Sequence, residues 1–201
     1  MSKPCVDFWF DFASTYSYPA CMRAQALRDE AGVAIRYRPF LLGPVFKAQG
    51  WATSPFNIYE AKGRYMWRDL ERLCAELSIP FRRPDPFPQN SLLAARAAIA
   101  SEGDSWHDAF CKAVFRVQFG EGRSIEDPVV IEAVLHDIGA PARLVLERAQ
   151  SDPVKLKLRS ETEEAGRLGI FGAPSFVTAD GELFWGNDRL ESALAWARRT
   201  A

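Results

Sequence analysis

The chain has 201 residues, 48% of them hydrophobic, and 25 basic against 26 acidic side chains give a formal net charge of −1. That length allows one large domain, or one domain with a nested insertion, and a core that needs no disulfide staples. Charge of both signs is interspersed, which excludes an acidic tail or a basic stripe suited to nucleic acid or a membrane surface. No apolar stretch approaches the ~18 residues of a membrane span, and the start lacks the long apolar run of a signal peptide. A cytoplasmic protein is therefore expected.

The cysteines are Cys5, Cys21, Cys74 and Cys111, none in a C-x-x-C pair, and only two histidines occur. Zinc-ligand spacing is absent, so no metal is expected. Each cysteine sits among periodic apolar residues and reads as a small buried hydrophobe.

In chain order, Val6 to Phe12 is aromatic and β-prone and predicts a strand. Ala20, Ala24, Leu27 and Ala31 share one helical face, Pro19 lies near the first turn, and Gly32 suits the stop. Val33 to Leu42 predicts the next strand, so that the crossover helix implies parallel pairing. From about Pro44 to Leu168 the pattern is helical. Met66, Leu70, Leu73 and Leu77 make an apolar stripe over 62–77, with Arg72 and Glu76 paired on the outside. Pro80 to Pro88 holds four prolines and predicts a loop. Further helices are expected at 91–102, 105–119, 127–138 and 152–168. Asp127-Pro128 and Asp152-Pro153 look like starts, and Gly139 and Gly169 like stops. Ser175–Thr178 and Glu182–Trp185 flank an Asp180-Gly181 hairpin turn. A final helix follows, with Leu190, Ala193, Leu194 and Ala197 facing inward.

The order β-α-β, helical block, β-β-α, with proline just before the third strand, is the plan of the thioredoxin fold. Its helical insertion resembles DsbA-like proteins and kappa-class glutathione transferases. Four strings then resemble the 2-hydroxychromene-2-carboxylate isomerases: Asp11 to Tyr18 (DFASTYSY), Lys62 to Met66 (KGRYM), Gly172 to Phe176 (GAPSF) and Trp185 to Leu190 (WGNDRL). Together they span nearly the whole chain. The resemblance implies an α/β thioredoxin-like domain from residues 1–43 and 169–201, with an all-helical domain, 44–168, set between its halves. It also implies a homodimer.

Where thioredoxins carry C-x-x-C at the start of the first helix, this chain reads Ser14-Thr15-Tyr16-Ser17. A hydroxyl cannot perform dithiol exchange, so on this fold the sulfur must come from a bound thiol. The family's thiol is glutathione. Ser14 is then the catalytic residue, donating a hydrogen bond to the glutathione thiolate. Against this stands the plain alternative that Ser14 or Ser17 only caps the helix. Ala173-Pro174 would be trans on sequence grounds, since cis is rare even for proline. The resemblance implies a cis bond that offers the Ala173 backbone to the cysteinyl part of glutathione. Asp188, with Glu191 three residues on, looks like a capping box. The resemblance adds that Asn187 and Asp188 hold the γ-glutamyl end. Lys62 is by default a solvated lysine, and in the family the matching lysine reaches the glycyl carboxylate. Relatives commonly have an asparagine beside Thr53-Ser54-Pro55. Here Trp51 and Ala52 stand there, so that contact is lost or taken by Thr53.

The substrate, a small aromatic carboxylate, needs aromatic walls and a cation. The candidates are Phe46, Trp51, Trp67 and Trp185, with Lys47 or Arg38 for the charge, although each aromatic is more often core than pocket. His107 and His136 lie on helices away from these motifs, so no histidine base is expected. Three functions remain open. An isomerase regenerates glutathione, a kappa-like transferase or peroxidase consumes it, and a non-catalytic thioredoxin-like binding module need not bind it.

Overall fold

The computed structural model describes residues 3–200. Along β1 (Cys5–Phe10), Val6, Phe8 and Phe10 are fully buried on one face of a sheet and Trp9 is fully buried on the other. A strand covered on both faces reads as a near-continuous apolar run, which is why the segment has lost the usual alternation. Helix α1 (Ser17–Ala31) follows, closed by Gly32 in the left-handed conformation that glycine adopts without steric cost. Strand β2 (Ala34–Pro39) returns parallel to β1, with Phe8 opposite Tyr37.

The helical block comprises α2 (Leu42–Ala48), α3 (Pro55–Ile58), α4 (Glu60–Glu76), α5 (Leu92–Ala100), α6 (His107–Phe115), α7 (Pro128–Asp137), α8 (Ala142–Ala149) and α9 (Asp152–Arg167). Strands β3 (Ser175–Thr178) and β4 (Leu183–Trp185) then add antiparallel to β1, giving the order β2-β1-β3-β4, before α10 (Leu190–Arg199). Three helices of the block, α2, α3 and α8, lie outside the individual helices expected. The expected second strand stops at Pro39 because the Leu42 amide is taken by Asp11 Oδ2 at 2.7 Å, which turns the chain into α2. The helix expected over 105–119 ends at Phe115 and passes into a π-helical turn, Arg116–Gly120. Arg72 pairs with Asp69 Oδ1 at 3.1 Å and not with Glu76.

The helical block and the sheet share one hydrophobic cluster. Phe8 stacks on Phe176 with ring centroids 5.2 Å apart, Phe10 lies 5.6 Å from Phe115, and Phe12 lies 4.9 Å from the same ring. Each such buried side chain contributes about 1.5–3 kcal/mol relative to exposure. The opposite face carries a smaller cluster in which Trp9, Phe40 and Val45 meet Ala165 and Ile170. Cys21, Cys74 and Cys111 are buried free thiols, Cys5 is partly buried, and burial raises the pKa of each. Among the described residues no group of side chains is arranged to hold a metal ion, and no helix is long and apolar enough to cross a membrane.

Candidate active site

The first strand ends at Phe10, and the carboxylate of the next residue, Asp11, organises the turn that follows. Its Oδ1 accepts from the Ala13 amide at 2.9 Å and the Ser91 hydroxyl at 2.6 Å, while Oδ2 accepts from Leu42. Burial pushes the Asp11 carboxyl up, and these donors from Leu42, Ser91 and Ala13 pull it back. One buried acid thus ties the β1–α1 turn, the start of α2 and the start of α5 together. The Ser14 amide donates to the Asp11 carbonyl at 2.9 Å, which sets Ser14 in the turn three residues before α1.

The Ser14 hydroxyl does two things at once. It donates to the Ala173 carbonyl at 2.9 Å, and its oxygen faces the Ser17 amide at 3.4 Å. The second contact, though Ser14 is not the N-cap residue, gives an acceptor to one of the helix's orphan donors, much as a cap would. The first ties the start of α1 to Ala173-Pro174, whose peptide bond is cis. Ser17 caps nothing: it is fully buried inside the helix, and Tyr16 occupies the N-cap without a side-chain bond.

A cleft of about 1630 Å³ opens here. Ser14, Thr53, Lys62, Ala173, Pro174, Asn187, Asp188 and Trp51 all line it, so most of the residues singled out in the sequence meet in one place. Lys62 stands in the first turn of α4, exposed, with Nζ 4.9 Å over the Tyr59 ring. Gly63 beside it lets α4 press on α3, because a Cβ there would lie 2.3 Å from the Phe56 carbonyl oxygen. That contact sets the Thr53 segment against α4. The Thr53 hydroxyl oxygen accepts from Asn57 Nδ2 at 3.3 Å.

Asn187 and Asp188 follow Gly186, whose φ of 113° is closed to ordinary side chains. The capping box expected at Asp188 does not form. Residues Asn187–Arg189 make a 3-10 turn, α10 begins after Arg189, and no side chain caps it. Asp188 pairs with Arg189 Nη1 at 3.2 Å, and Glu191 pairs with Arg23. Arg23 comes from α1 and donates through Nη2 to both the Asn187 carbonyl, at 2.9 Å, and its Oδ1, at 3.2 Å. With its oxygen so held, the buried Asn187 amide keeps Nδ2 as its remaining donor.

Other expectations are corrected. Trp67 does not line the cleft. It is wedged against Phe87 at 4.7 Å with Arg83 4.6 Å from its ring, packing α4 onto the proline-rich loop. Lys47 is exposed on α2 and also lies outside the cleft lining. Arg38 is committed elsewhere, to Glu161 at 2.9 Å and to the Trp9 ring at 4.8 Å. Phe46 and Trp185 do line the cleft. His107 is buried against the Ser101 hydroxyl at 2.8 Å and His136 is exposed, and neither reaches the cleft. No cysteine lines it among the described residues.

Sequence pattern points to no site role for Asp11 or Arg23, nor for the polar stripe Tyr65, Asp69 and Arg72 on α4, of which only Arg72 is expected to pair, with Glu76. The stripe's i, i+4, i+7 spacing was the available signal. Tyr16 Oη donates to Asp69 Oδ2 at 2.9 Å, which joins that stripe to the start of α1.

The cleft thus brings a hydroxyl at the start of the first helix to face a cis-proline loop. The model described as DSBA-like thioredoxin domain matches residues 5–195, and the chain belongs to that family, within which it falls among the 2-hydroxychromene-2-carboxylate isomerases, a family of enzymes. It is 31% identical to the 2-hydroxychromene-2-carboxylate isomerase of Sphingobium xenophagum, over 92% of this chain and 94% of that one. It is 28% identical to glutathione S-transferase kappa 1 of Homo sapiens, over 92% of this chain and 87% of the relative. Its structure matches that of a 2-hydroxychromene-2-carboxylate isomerase with a TM-score of 0.87 at 29% identity, covering 98% and 97% of the two chains.

Proposed function

We propose that the protein is a glutathione-dependent isomerase acting on a small aromatic carboxylate of the hydroxychromene type. The observation that carries this reading is the Ser14 hydroxyl at the start of α1, 2.9 Å from the Ala173 carbonyl, in a cleft with no lining cysteine among the described residues. The donor set suits the tripeptide. Lys62 suits its glycyl carboxylate, Asn187 its γ-glutamyl carboxylate, and Asp188 its ammonium group. Ala173 and Pro174 offer backbone for its cysteinyl part, and Thr53 lines the same cleft.

Glutathione, once bound, would supply a thiolate for reversible addition to a conjugated double bond, chemistry that leaves it regenerated. The protein's part is to hold that thiolate and to position the electrophile. A hydroxyl proton rotates freely, so Ser14 can turn its hydrogen from the Ala173 carbonyl to a sulfur while its oxygen still faces the Ser17 amide. The helix start adds partial positive charge at the same point. Neither role needs a histidine.

The test is turnover of a hydroxychromene carboxylate with glutathione below the substrate concentration, with free thiol titrated before and after. Many turnovers and constant thiol are expected. Thiol loss in step with product indicates the transferase reading instead, and full activity without glutathione ends both.

A further inference from the structure

A tripeptide and an aromatic acid must both fit one cleft, and its volume of about 1630 Å³ exceeds the usual ~300–1,000 Å³ of a single-ligand pocket. Three cations line it among the described residues: Lys62, Arg189 and Arg72. Lys62 and Arg189 stand beside groups already given to glutathione. Arg72 does not. It stands ten residues, about 15 Å, beyond Lys62 along the same face of α4, where Tyr65, Asp69 and Arg72 all line the cleft.

Two partners hold this guanidinium in place. Nη2 donates to Asp69 Oδ1 at 3.1 Å, and the group lies 5.6 Å from the centre of the Tyr65 ring. Asp69 is itself fixed by Tyr16, two residues beyond Ser14. Burial pushes the Tyr16 phenol up, and its bond to Asp69 adds to this, so it remains a neutral donor to that carboxylate. A chain of two hydrogen bonds therefore links the start of α1 to a positioned arginine. One Nη–H to Asp69 leaves further donors of the planar fork, which suit a carboxylate. The cations named from sequence for this task, Lys47 and Arg38, do not line the cleft.

We infer that Arg72, held by Asp69 and Tyr16, binds the carboxylate of the electrophile and makes the enzyme selective for acidic over neutral aromatic substrates. This rests on the glutathione-dependent reading of the cleft. Calorimetry in saturating glutathione with cinnamate and with cinnamamide, its uncharged analogue, separates the two. Wild type binds the acid more tightly by about ten- to a hundredfold, the range of a charge-assisted hydrogen bond. Arg72→Gln removes that preference, Arg72→Lys restores part of it, and glutathione affinity is unchanged in both. In turnover, Arg72→Gln raises KM for the hydroxychromene carboxylate by a similar factor.

An acid-to-amide ratio in Arg72→Gln equal to that of wild type overturns the inference and leaves the glutathione reading standing. A loss of glutathione affinity matching the loss of cinnamate affinity also overturns it, because Arg72 would then serve the tripeptide. Wild type that binds no glutathione ends the underlying reading.

Discussion

Replacing Ser14 by alanine removes one hydroxyl that serves both the fold and the chemistry, and the two effects have different sizes. For stability, the protein loses the bond to the Ala173 carbonyl and the acceptor facing the Ser17 amide. Loss of a helix cap costs about 0.5–2 kcal/mol, and the 3.4 Å contact to Ser17 is long, so the low end applies. A net intramolecular hydrogen bond adds about 1 kcal/mol. The variant should unfold about 1–2 kcal/mol more easily and remain folded, because the Asp11 bonds that shape the turn are untouched.

For chemistry, a hydrogen bond to a charged group contributes about 1.5–3 kcal/mol, which is about one to two pKa units on a thiol that ordinarily ionises near 8.5. The pKa of bound glutathione should therefore rise by that amount in Ser14→Ala, with a ten- to hundredfold fall in rate near neutral pH (about 1.4 kcal/mol per tenfold). Thiolate absorbance of the glutathione complex, titrated against pH in wild type and variant, reads the shift directly. An unchanged pKa of the bound thiol would refute the role given to Ser14, whatever happened to the rate.

Arg23→Ala frees Asn187 from its α1 partner, and glutathione affinity should fall about tenfold, as for one lost polar contact to a charged group, while Arg23→Lys recovers part. Calorimetry checks both. Gly63→Ala drives a methyl against the Phe56 carbonyl, so stability should fall by about 1–3 kcal/mol in urea unfolding, with weaker glutathione binding as the Thr53 segment shifts. Trp51→Ala and Trp67→Ala should behave oppositely. The first raises KM with little change in stability, and the second lowers the unfolding midpoint with KM preserved, since only Trp51 lines the cleft. Burial holds His107 below its ordinary pKa of 6.5, so it stays neutral where the unfolded chain already takes up a proton. Its contribution is complete above that value and is lost as pH falls below it. Stability of His107→Gln, followed by urea midpoint, should therefore decline less than wild type as pH falls below about 6.5.

Much of this architecture was readable from residue pattern alone because the signals were local. The aromatic run of β1, the glycine stops at Gly32, Gly139 and Gly169, and the Asp127 cap, whose carboxylate accepts from the Val129 amide at 2.9 Å, are set by neighbours in sequence. What escaped is set by distant groups. Helix α2 exists because Asp11 takes the Leu42 amide across 31 residues. Helix α10 starts after Asp188 because Gly186 and a 3-10 turn intervene, and Glu191, read as half of a capping box, is claimed by Arg23. The site showed the same division. Motif strings pointed to Ser14, Ala173, Pro174, Asn187 and Asp188, which the fold gathers into one cleft. Lone side chains without a string around them, Lys47 and Trp67, were assigned by residue type and lie elsewhere. Tyr16, Asp69 and Arg72 carry no motif and emerge only when α1 and α4 are brought side by side.

The bond between Ser14 and Ala173 spans 159 positions, and β1 is flanked by β2 on one side and by β3 on the other. On the ribosome, β1 and β2 can therefore pair early, while the second edge of β1 waits with its amides and carbonyls uncovered until residues 175–178 have been made. A chain interrupted before that point would carry the serine yet lack the loop that faces it, and would present a sticky edge to its neighbours. Premature stops should accordingly yield insoluble fragments, not weakened catalysts.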